Sequence, residues 1–554
     1  MNLTLYGPYT NDTENPALFE TFKPKIEAYN KKLADNILDE YKLPEDLIPT
    51  ELGLDVTPIA KKFLSKEEFA ITETTATKLA SEIASGKLTA VEVFKAFAKR
   101  ATACHQLVNC AMELFIDEGL ERAKELDEYY QKTGKTVGPL HGLPISIKEH
   151  YAYKDKVTHA GYVGLIENVT TEWSHSAKLL LDAGAVFYIR TTEPQSLMHL
   201  CSRNNITGVC RNPFNTNLTS GGSSSGEGAI TAFKGSAFGL GSDGGGSIRA
   251  PAAFCGVWGI RCTGGRSPLL GMMTAHSSGQ NDGFPVVAGP LANSPEDLEL
   301  GLKVLLNQPW KDDSSLLPMP WKDVPLPKVS DLTIAICYDD GVVKPTPPMI
   351  RGLKYAAKQL EAAGAKVIEW DALNVLEVVQ AVHHVYNADK NAAQKKELAA
   401  SGEPIVPLTY NCLEFGCGDN GISLVDSWKI AQFRDEQRNL YLKTMNDKGV
   451  DFILMPTYCN VAPKPDTCHY WGYTCMWNFL DFPGVIFPSG LRADPAVDVP
   501  DFSEPRSEIE KYEHDLYNTA PEDFKGAPIC LQLIGRRWFC EDTLKAAEAI
   551  SGVL

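Results

Sequence analysis

Two serines in glycine-rich segments and one upstream lysine are the residues of this chain whose types and spacing best suit chemistry. Ser223 follows a glycine pair, Ser247 follows a run of three glycines, and Lys148 lies upstream of both. Glycine at this density indicates backbone torsions that other residues cannot adopt, or amides brought close to a ligand. Consecutive N–H groups in such a run can turn toward one point and bind an oxyanion or a phosphate. The N–H groups concerned belong to Gly244, Gly245, Gly246 and Ser247.

A nucleotide-binding loop is one explanation of these glycines, and the sequence disfavours it. A phosphate loop needs Gly-Lys followed by Ser or Thr, and the glycine-rich segment 220–259 has no such tripeptide. Residues 239–244 match the dinucleotide pattern GxGxxG, but that pattern needs an acidic residue about 20 positions later. No Asp or Glu occurs from residue 244 to residue 280. The remaining explanation is an oxyanion hole beside a serine nucleophile.

A serine nucleophile needs a base, which is usually a histidine held by a carboxylate. The nearest histidines in sequence are His199 and His276, and a Ser-His-Asp triad built from distant residues stays open. A lysine can replace histidine where burial lowers its pKa until it is neutral near working pH. Lys148 suits that role because it ends the apolar run Leu143–Ile147, which predicts a buried strand.

Three segments of the chain resemble the motifs of the amidase signature family, whose enzymes hydrolyse C–N amide bonds with a Ser-Ser-Lys triad. Gly142–Glu149 is similar to the lysine motif, Gly221–Gly226 to the motif of the bridging serine, and Gly241–Gly256 to the motif of the nucleophile. The resemblance extends over about residues 75 to 550 and is strongest to the fungal acetamidase-like branch.

The resemblance implies a role for each of these residues. Ser247 is the nucleophile, Ser223 carries the proton, and Lys148 is the base. The backbone N–H groups of Gly244, Gly245, Gly246 and Ser247 form the oxyanion hole. The residues that hold this loop in place are Asp243, Arg249 and Ser224, and an ion pair between Asp243 and Arg249 is expected. The peptide bond before the bridging serine is cis in the family.

The sequence defines the reaction more narrowly than it defines the substrate class. The resemblance implies hydrolysis of linear monocarboxylic amides of acetamidase type, with fatty acid amides, aryl amides and esters as alternatives. Leu197 and Met198 either line the substrate pocket or pack in the core. A catalytically silent binding or scaffold subunit is the alternative from another class, and the intact Lys148, Ser223 and Ser247 argue against it.

Composition and charge restrict the partners of this chain. The 554 residues carry a formal net charge of −17, which argues against nucleic acid or an anionic membrane as the main partner. A small-molecule amide is compatible with that charge. The 14 cysteines form no CxxC pair and no HExxH occurs, so we expect free, mostly buried thiols, no metal and no cofactor.

The cellular location is predicted from the same sequence features. The first residues show no basic region followed by an apolar one, which a secretory signal would need. No stretch approaches 18 uncharged apolar residues, so a transmembrane segment is not expected. These features predict a soluble, cytoplasmic protein.

Two segments of unequal length organise the chain. Residues 1–70 are polar and helix-prone, and we expect an N-terminal extension that packs on the main domain or contributes to a homodimer. Residues 71–554 are expected to form one catalytic domain. Helical and strand patterns alternate along it, and a capping box at Thr89 and Glu92 begins one helix. We therefore expect an α/β fold, with a central, mixed, twisted sheet covered by helices on both faces.

The segment 494–525 is rich in Asp, Glu and Pro. This composition is typical of a polar excursion, so we expect the segment to lie on the surface.

Overall fold

A mixed sheet of eleven strands forms the centre of the computed structural model, which describes residues 3–274 and 283–554. The predicted fold class is confirmed, since helices cover both faces of this sheet. His276, one of the two histidines considered as a base, lies outside the described residues.

The strands are two to nine residues long. In chain order they are β1 Ala111–Leu114, β2 Pro144–Lys148, β3 Val186–Thr191, β4 Arg203–Asn204, β5 Gly208–Val209, β6 Arg211–Asn212, β7 Asn215–Thr219, β8 Phe238–Asp243, β9 Trp258–Arg261, β10 Val287–Ala292, β11 Thr333–Ile336, β12 Lys366–Glu369, β13 Phe452–Met455, β14 Gly484–Arg492 and β15 Pro528–Ile534.

The order of strands in the large sheet is β1-β3-β2-β8-β10-β9-β14-β15-β13-β11-β12. The pairs β3–β2, β2–β8, β13–β11 and β11–β12 are parallel, and the others are antiparallel. Strands β4 with β5 and β6 with β7 form two small separate ribbons. Because β2 and β8 run side by side in the same direction, their carboxyl ends meet at one edge.

The helices of the described chain surround this sheet. They are α1 Pro16–Asp35, α2 Ile59–Phe63, α3 Lys66–Thr72, α4 Ala76–Ala84, α5 Ala90–Val108, α6 Ile116–Thr133, α7 His175–Asp182, α8 Ser225–Ala232, α9 Arg249–Phe254, α10 Pro295–Leu305, α11 Pro347–Ala362, α12 Val375–Tyr386, α13 Ala392–Ser401, α14 Pro407–Leu413, α15 Leu424–Lys448, α16 Gly472–Leu480, α17 Glu508–Asn518 and α18 Cys540–Ser551.

Alternate residues of the central strands enter two different hydrophobic cores. Val485 and Phe487 of β14 pack in a core with α10, α11 and α18. Ile486, between them, packs in a second core with α9, α12 and α16. Side chains of a strand alternate between the two faces of its sheet, so both faces of β14 are buried.

Local sequence signals place the elements near the site correctly. In α5, Thr89 Oγ1 accepts a hydrogen bond from Glu92 N–H at 3.1 Å, and Glu92 accepts one from Thr89 N–H at 2.8 Å. The capping box predicted from sequence is therefore confirmed. The strand predicted over Leu143–Ile147 is β2, which is buried along its whole length.

The N-terminal residues pack on the main body of the protein. Tyr6 pairs with Phe415 in an isolated bridge, and Asn15 N–H donates to the carbonyl of Gly402 at 2.9 Å. Packing was one of the two alternatives predicted for this extension. The division of the chain at residue 70 stays a prediction.

The surface position predicted for residues 494–525 is only partly correct. Residues 502–504 and 506–508 are exposed. The prediction is wrong for α17, because its residue Glu513 is fully buried and accepts hydrogen bonds from the N–H groups of His469 and Tyr470 at 3.0 and 2.9 Å. A composition rich in acidic residues does not reveal that one carboxylate caps buried backbone groups.

Candidate active site

Lys148 ends β2 at the sheet edge and is fully buried. Its Nζ donates hydrogen bonds to Ser223 Oγ at 2.6 Å and to Ser242 Oγ at 3.2 Å. Burial lowers the pKa of Lys148 to about 8, against the opposing effect of the more distant Glu193, Asp243 and Glu227. Because its hydrogen-bond partners are hydroxyls, nothing in direct contact offsets the desolvation of a charged ammonium, and a substantial fraction is neutral near pH 8.

Ser223 lies two residues before the start of α8, and its hydroxyl faces Lys148. The peptide bond between Gly222 and Ser223 is cis, as the resemblance implied. A Cβ atom at Gly222 would lie 2.0 Å from the carbonyl oxygen of Cys201, so only glycine fits at this position. The glycine pair therefore lets the chain pass close to its neighbour and present Ser223 to the lysine.

Ser247 lies in the connection between β8 and α9, and 7% of its surface is exposed. The N–H of Ser224 donates to the carbonyl oxygen of Ser247 at 3.1 Å. This backbone contact holds the segment that carries Ser223 against the loop that carries Ser247. The three residues predicted to act together therefore lie on β2 and on two adjoining loops.

Two hydroxyl groups orient the glycine run. Tyr386 Oη donates to the carbonyl of Gly244 at 2.7 Å, and Thr474 Oγ1 donates to the carbonyl of Gly245 at 2.7 Å. In a planar trans peptide the C=O and the following N–H point in opposite directions. The N–H of Gly245 therefore points away from Tyr386, and the N–H of Gly246 points away from Thr474.

The N–H of Gly246 has a different partner from the one the resemblance implied. It donates to Asp243 Oδ1 at 2.9 Å, so in this structure it supports the loop rather than facing a substrate. The carbonyl of Gly246 accepts from Ala250 N–H at 2.7 Å in the first turn of α9. The N–H of Ser247, at the other end of that peptide, consequently points away from this helix.

The ion pair expected between Asp243 and Arg249 is present and fully buried, with Nε to Oδ2 at 3.0 Å. Arg249 also donates to Gln532 Oε1 at 2.9 Å and to Asn478 Oδ1 at 2.5 Å. Burial alone would raise the pKa of Asp243, but the charge and hydrogen bonds of Arg249 hold it well below its ordinary value. Asp243 also accepts from the N–H groups of Gly246 and Ile248, so the pair fixes the whole turn.

A group of three buried side chains lies beside Lys148, and its ligand atoms are within 4.8 Å of one another. They are Glu149, His159 and Glu193. Such a set can hold a metal ion, but here protein donors occupy Glu149, which accepts from two backbone N–H groups at 2.9 and 3.0 Å. Arg190 lies 3.4 Å from the same carboxylate and supplies the positive charge. This group is therefore better described as a neutralised carboxylate cluster than as a metal site.

Burial and the neighbouring Glu149 raise the pKa of Glu193 well above its ordinary value. The pKa of Glu149 lies below its ordinary value, because the opposing effect of burial is outweighed by His159 and Arg190. One proton shared by the two carboxyl groups explains both directions.

The pocket residues suggested by the sequence lie in the core. Met198 is buried and its Sδ accepts a hydrogen bond from Gln394 at 3.4 Å, while Leu197 is partly buried against the same core. A pocket-lining role for them stays a prediction. His199 is buried with both ring nitrogens unpartnered among the described residues, and burial lowers its pKa to about 3.

Several residues that the sequence did not single out complete this region. Tyr386, Thr474, Asn478 and Gln532 lie 139 to 285 positions after Ser247, and only folding brings them to the loop. Two more, His150 and Ser242, lie close to motif residues in sequence. A hydrogen-bonding side chain two positions from Lys148 was the one local signal available for His150.

Comparisons with known proteins identify the class to which this fold belongs. The family model described as Amidase matches residues 92–544. The chain is 38% identical to an acetamidase of Aspergillus oryzae over 538 residues, which cover 94% of this chain and 97% of that protein. It is also 38% identical to an acetamidase of Emericella nidulans over 537 residues, with 94% and 96% covered.

A solved structure of a fatty acid amide hydrolase is similar over nearly the whole chain. Its TM-score is 0.94 at 46% sequence identity, and the match covers 98% of this chain and 97% of that one. The protein belongs to the amidase family, as its three motifs indicated. It is an enzyme that hydrolyses carboxylic amide C–N bonds. No helix among the described residues is long and apolar enough to cross a membrane.

Proposed function

We propose that this enzyme hydrolyses linear monocarboxylic amides through an acyl-Ser247 intermediate, with Lys148 as the base and Ser223 as the proton carrier. The observation that carries the proposal is the 2.6 Å contact between Lys148 Nζ and Ser223 Oγ in a fully buried setting. A neutral amine there can accept the proton of Ser223, while Ser223 accepts the proton of Ser247.

Attack by Ser247 Oγ on the amide carbon forms a C–O bond and moves an electron pair onto the carbonyl oxygen. The N–H groups of Gly245 and Ser247 stabilise this oxyanion in the proposal, because the orientation of their peptides directs them away from Tyr386 and α9. We leave Gly246 out of this role, since Asp243 accepts its N–H. The N–H of Gly244 stays part of the proposed hole.

Collapse of the intermediate requires a proton on the leaving nitrogen. Ser223 supplies that proton and regains one from the Lys148 ammonium, so ammonia or an amine departs and the acyl-Ser247 ester remains. Water then attacks the ester, with the same residues accepting and returning its proton. The products are the free carboxylate and the original enzyme.

The substrate is a small amide of acetamidase type in this proposal, as supported by the two fungal acetamidases. Amides of longer acyl chains are the second candidate, because the 46% identical solved structure is that of a fatty acid amide hydrolase. Aryl amides and esters remain alternatives within the family. A catalytically silent scaffold is the alternative that an assay must exclude.

The proposal is tested by measuring ammonia or amine release from acetamide, butyramide, benzamide, a p-nitroanilide and oleamide. We expect acetamide and butyramide to be the best substrates and Ser247→Ala to reduce kcat on the order of 10⁴-fold or more. Ser202→Ala is the matched control, since Ser202 is also buried and its hydroxyl donates to the carbonyl of Cys210.

Three outcomes would redirect the proposal. Full activity of Ser247→Ala would exclude Ser247 as the nucleophile. A clear preference for oleamide would select the long-chain class. Turnover of none of the amides by the folded wild-type enzyme would favour the silent scaffold.

We further propose that the protein acts in the cytoplasm. All 14 of its cysteines are free and buried, which suits a reducing compartment. We retain the proposals of an N-terminal extension over residues 1–70, a catalytic domain over residues 71–554, and a homodimer. Cell fractionation tests the location, and light scattering of the purified protein tests the dimer.

A further inference from the structure

A second hydrogen-bond chain starts at Lys148 and runs away from Ser223. Lys148 Nζ contacts Ser242 Oγ at 3.2 Å, Ser242 Oγ contacts His150 Nε2 at 3.0 Å, and His150 Nδ1 contacts the carbonyl oxygen of Met273 at 2.7 Å. Lys148, Ser242 and His150 are all buried. The roles proposed above for Lys148 and Ser223 do not involve this hydrogen-bond chain.

The donor and the acceptor of each hydrogen bond follow from the group at the end of this chain, the Met273 carbonyl. A carbonyl oxygen only accepts, so His150 Nδ1 carries a proton and donates it to Met273. Burial and the nearby Lys148 lower the pKa of His150 well below its ordinary value, so the ring is neutral and Nε2 accepts. The single hydroxyl proton of Ser242 is therefore donated to Nε2, and Ser242 Oγ accepts from Lys148.

This direction matters because a neutral lysine amine has two N–H groups and only one lone pair. If the hydroxyl of Ser242 were free to turn, it could donate its proton to that lone pair and block it. The lone pair would then be unavailable to Ser223, 2.6 Å away on the other side. With its proton held by His150, Ser242 serves only as an acceptor.

We propose that His150 is a positioning residue that keeps the lone pair of Lys148 turned toward Ser223, by holding the hydroxyl proton of Ser242. The inference rests on the proposed function, since it assumes that neutral Lys148 is the base. His150 touches neither the substrate nor the reacting atoms in this proposal, and acts through Ser242.

The electrostatic surroundings of the chain are set by other buried groups. Glu193, Asp243 and Glu227 act on Lys148 from β3 and its connection, from β8 and from α8. Lys148 and Arg190 act on His150. The test is therefore made on the plateau of the pH profile, well above the pKa of Lys148, where differences in its protonated fraction no longer contribute.

The experiment compares His150→Asn, Ser242→Ala and the double variant, each with kcat and KM for the best amide of the panel. Asn can still donate to Met273 but offers no acceptor at the position of Nε2. We expect its plateau kcat to fall about tenfold with KM unchanged, since one additional hydrogen bond to the lone pair must first break.

The double variant gives the sharpest outcome. Removing the Ser242 hydroxyl removes the group that blocks the lone pair, so the double variant should be several-fold more active than His150→Asn alone. A double variant that is equally active or less active would overturn the inference, because a purely structural role makes the two losses add. Equal plateau rates for His150→Asn and wild type would also overturn it.

Failure of this inference is distinguishable from failure of the proposed function. Ser247→Ala and Lys148→Met are measured in the same series. If both are inactive while the double variant shows no recovery, only the role of His150 is lost. If either stays active, the proposed function itself fails.

Discussion

Two buried basic side chains have opposite surroundings: Lys148 at the end of β2, and Arg249 after the neighbouring strand β8. Lys148 ends β2 and contacts two hydroxyl groups. Arg249 follows β8 and contacts the carboxylate of Asp243 and two amide oxygens. Both side chains are completely buried, so burial alone does not explain why one is suited to exchange a proton and the other is not.

The difference lies first in the groups themselves, because a guanidinium stays protonated in proteins and a lysine amine can lose its proton, and then in the charge of the contacting groups. A carboxylate in direct contact offsets the desolvation of Arg249, and the two become a fixed structural pair. Hydroxyl groups offer Lys148 hydrogen bonds without an opposite charge, so burial lowers its pKa to about 8. The neutral amine that the proposed base needs is therefore favoured at Lys148, whose neighbours are polar and uncharged.

The largest expected effect comes from removing the lysine of this comparison. Lys148→Met should reduce kcat/KM for amides about 10³- to 10⁴-fold, because general base catalysis is lost. In the wild type the rate should rise with pH through about 8, as Lys148 loses its proton, and then reach a plateau. The variant should lose this rise.

The matched control is Lys31→Met, because the side chain of Lys31 is 74% exposed and pairs with Asp35 on the same helix. It should retain both the wild-type rate and the wild-type pH profile. A pH profile unchanged in Lys148→Met would mean that another group is the base.

The second-largest effect is a loss of stability, expected from breaking the ion pair between Asp243 and Arg249. Asp243→Asn leaves the charge of Arg249 buried without a carboxylate, which should lower the free energy of unfolding by about 3–5 kcal/mol. Urea denaturation of the variant and the wild type measures this change. The exposed pair of Lys511 and Asp515 provides the control, since Asp515→Asn should cost less than about 1 kcal/mol.

A loss of less than about 1 kcal/mol in Asp243→Asn would show that Asn478 and Gln532 alone compensate the charge of Arg249. The contrast between the two cations would then not depend on the carboxylate.

The smallest effect concerns the glycine loop that connects β8 to Arg249. Tyr386→Phe removes the hydroxyl that holds the Gly244 carbonyl, so kcat should fall about tenfold with little change in KM. Tyr441→Phe is the matched control, because this buried tyrosine also donates to a backbone carbonyl, that of Leu373 at 2.9 Å. It should affect stability and leave kcat unchanged. Equal kcat in Tyr386→Phe and wild type would show that the glycine run holds its orientation without this hydroxyl.

Local patterns made the strand, the helix cap and the three motifs predictable. The apolar run that ends at Lys148 is β2, and the Thr89 capping box begins α5. The ion pair of Asp243 and Arg249 was also expected, from the resemblance of Gly241–Gly256 to the family's nucleophile motif. Each of these features depends on residues that are close in sequence, so one sequence contains enough information.

The side chains that aim the loop were not predictable in this way. Tyr386 and Thr474 donate hydrogen bonds to Gly244 and Gly245. Their helices, α12 and α16, lie much later in the sequence. Glu513 illustrates the same limit, because its burial depends on packing against residues 469 and 470. The hydrogen bond from the Gly246 N–H to Asp243 depends on the orientation of one peptide plane, which a sequence motif does not specify.

The strand order has a consequence for how the enzyme is made. Lys148, Ser223 and Ser247 are synthesised within the first half of the chain, whereas Thr474, Asn478 and Gln532 follow much later. A nascent chain that has emerged only through β10 has Lys148 and both serines but lacks the hydroxyl and amide groups that orient the loop. We therefore expect competence for hydrolysis only after the chain through Gln532 has emerged and the second half of the sheet closes against the first.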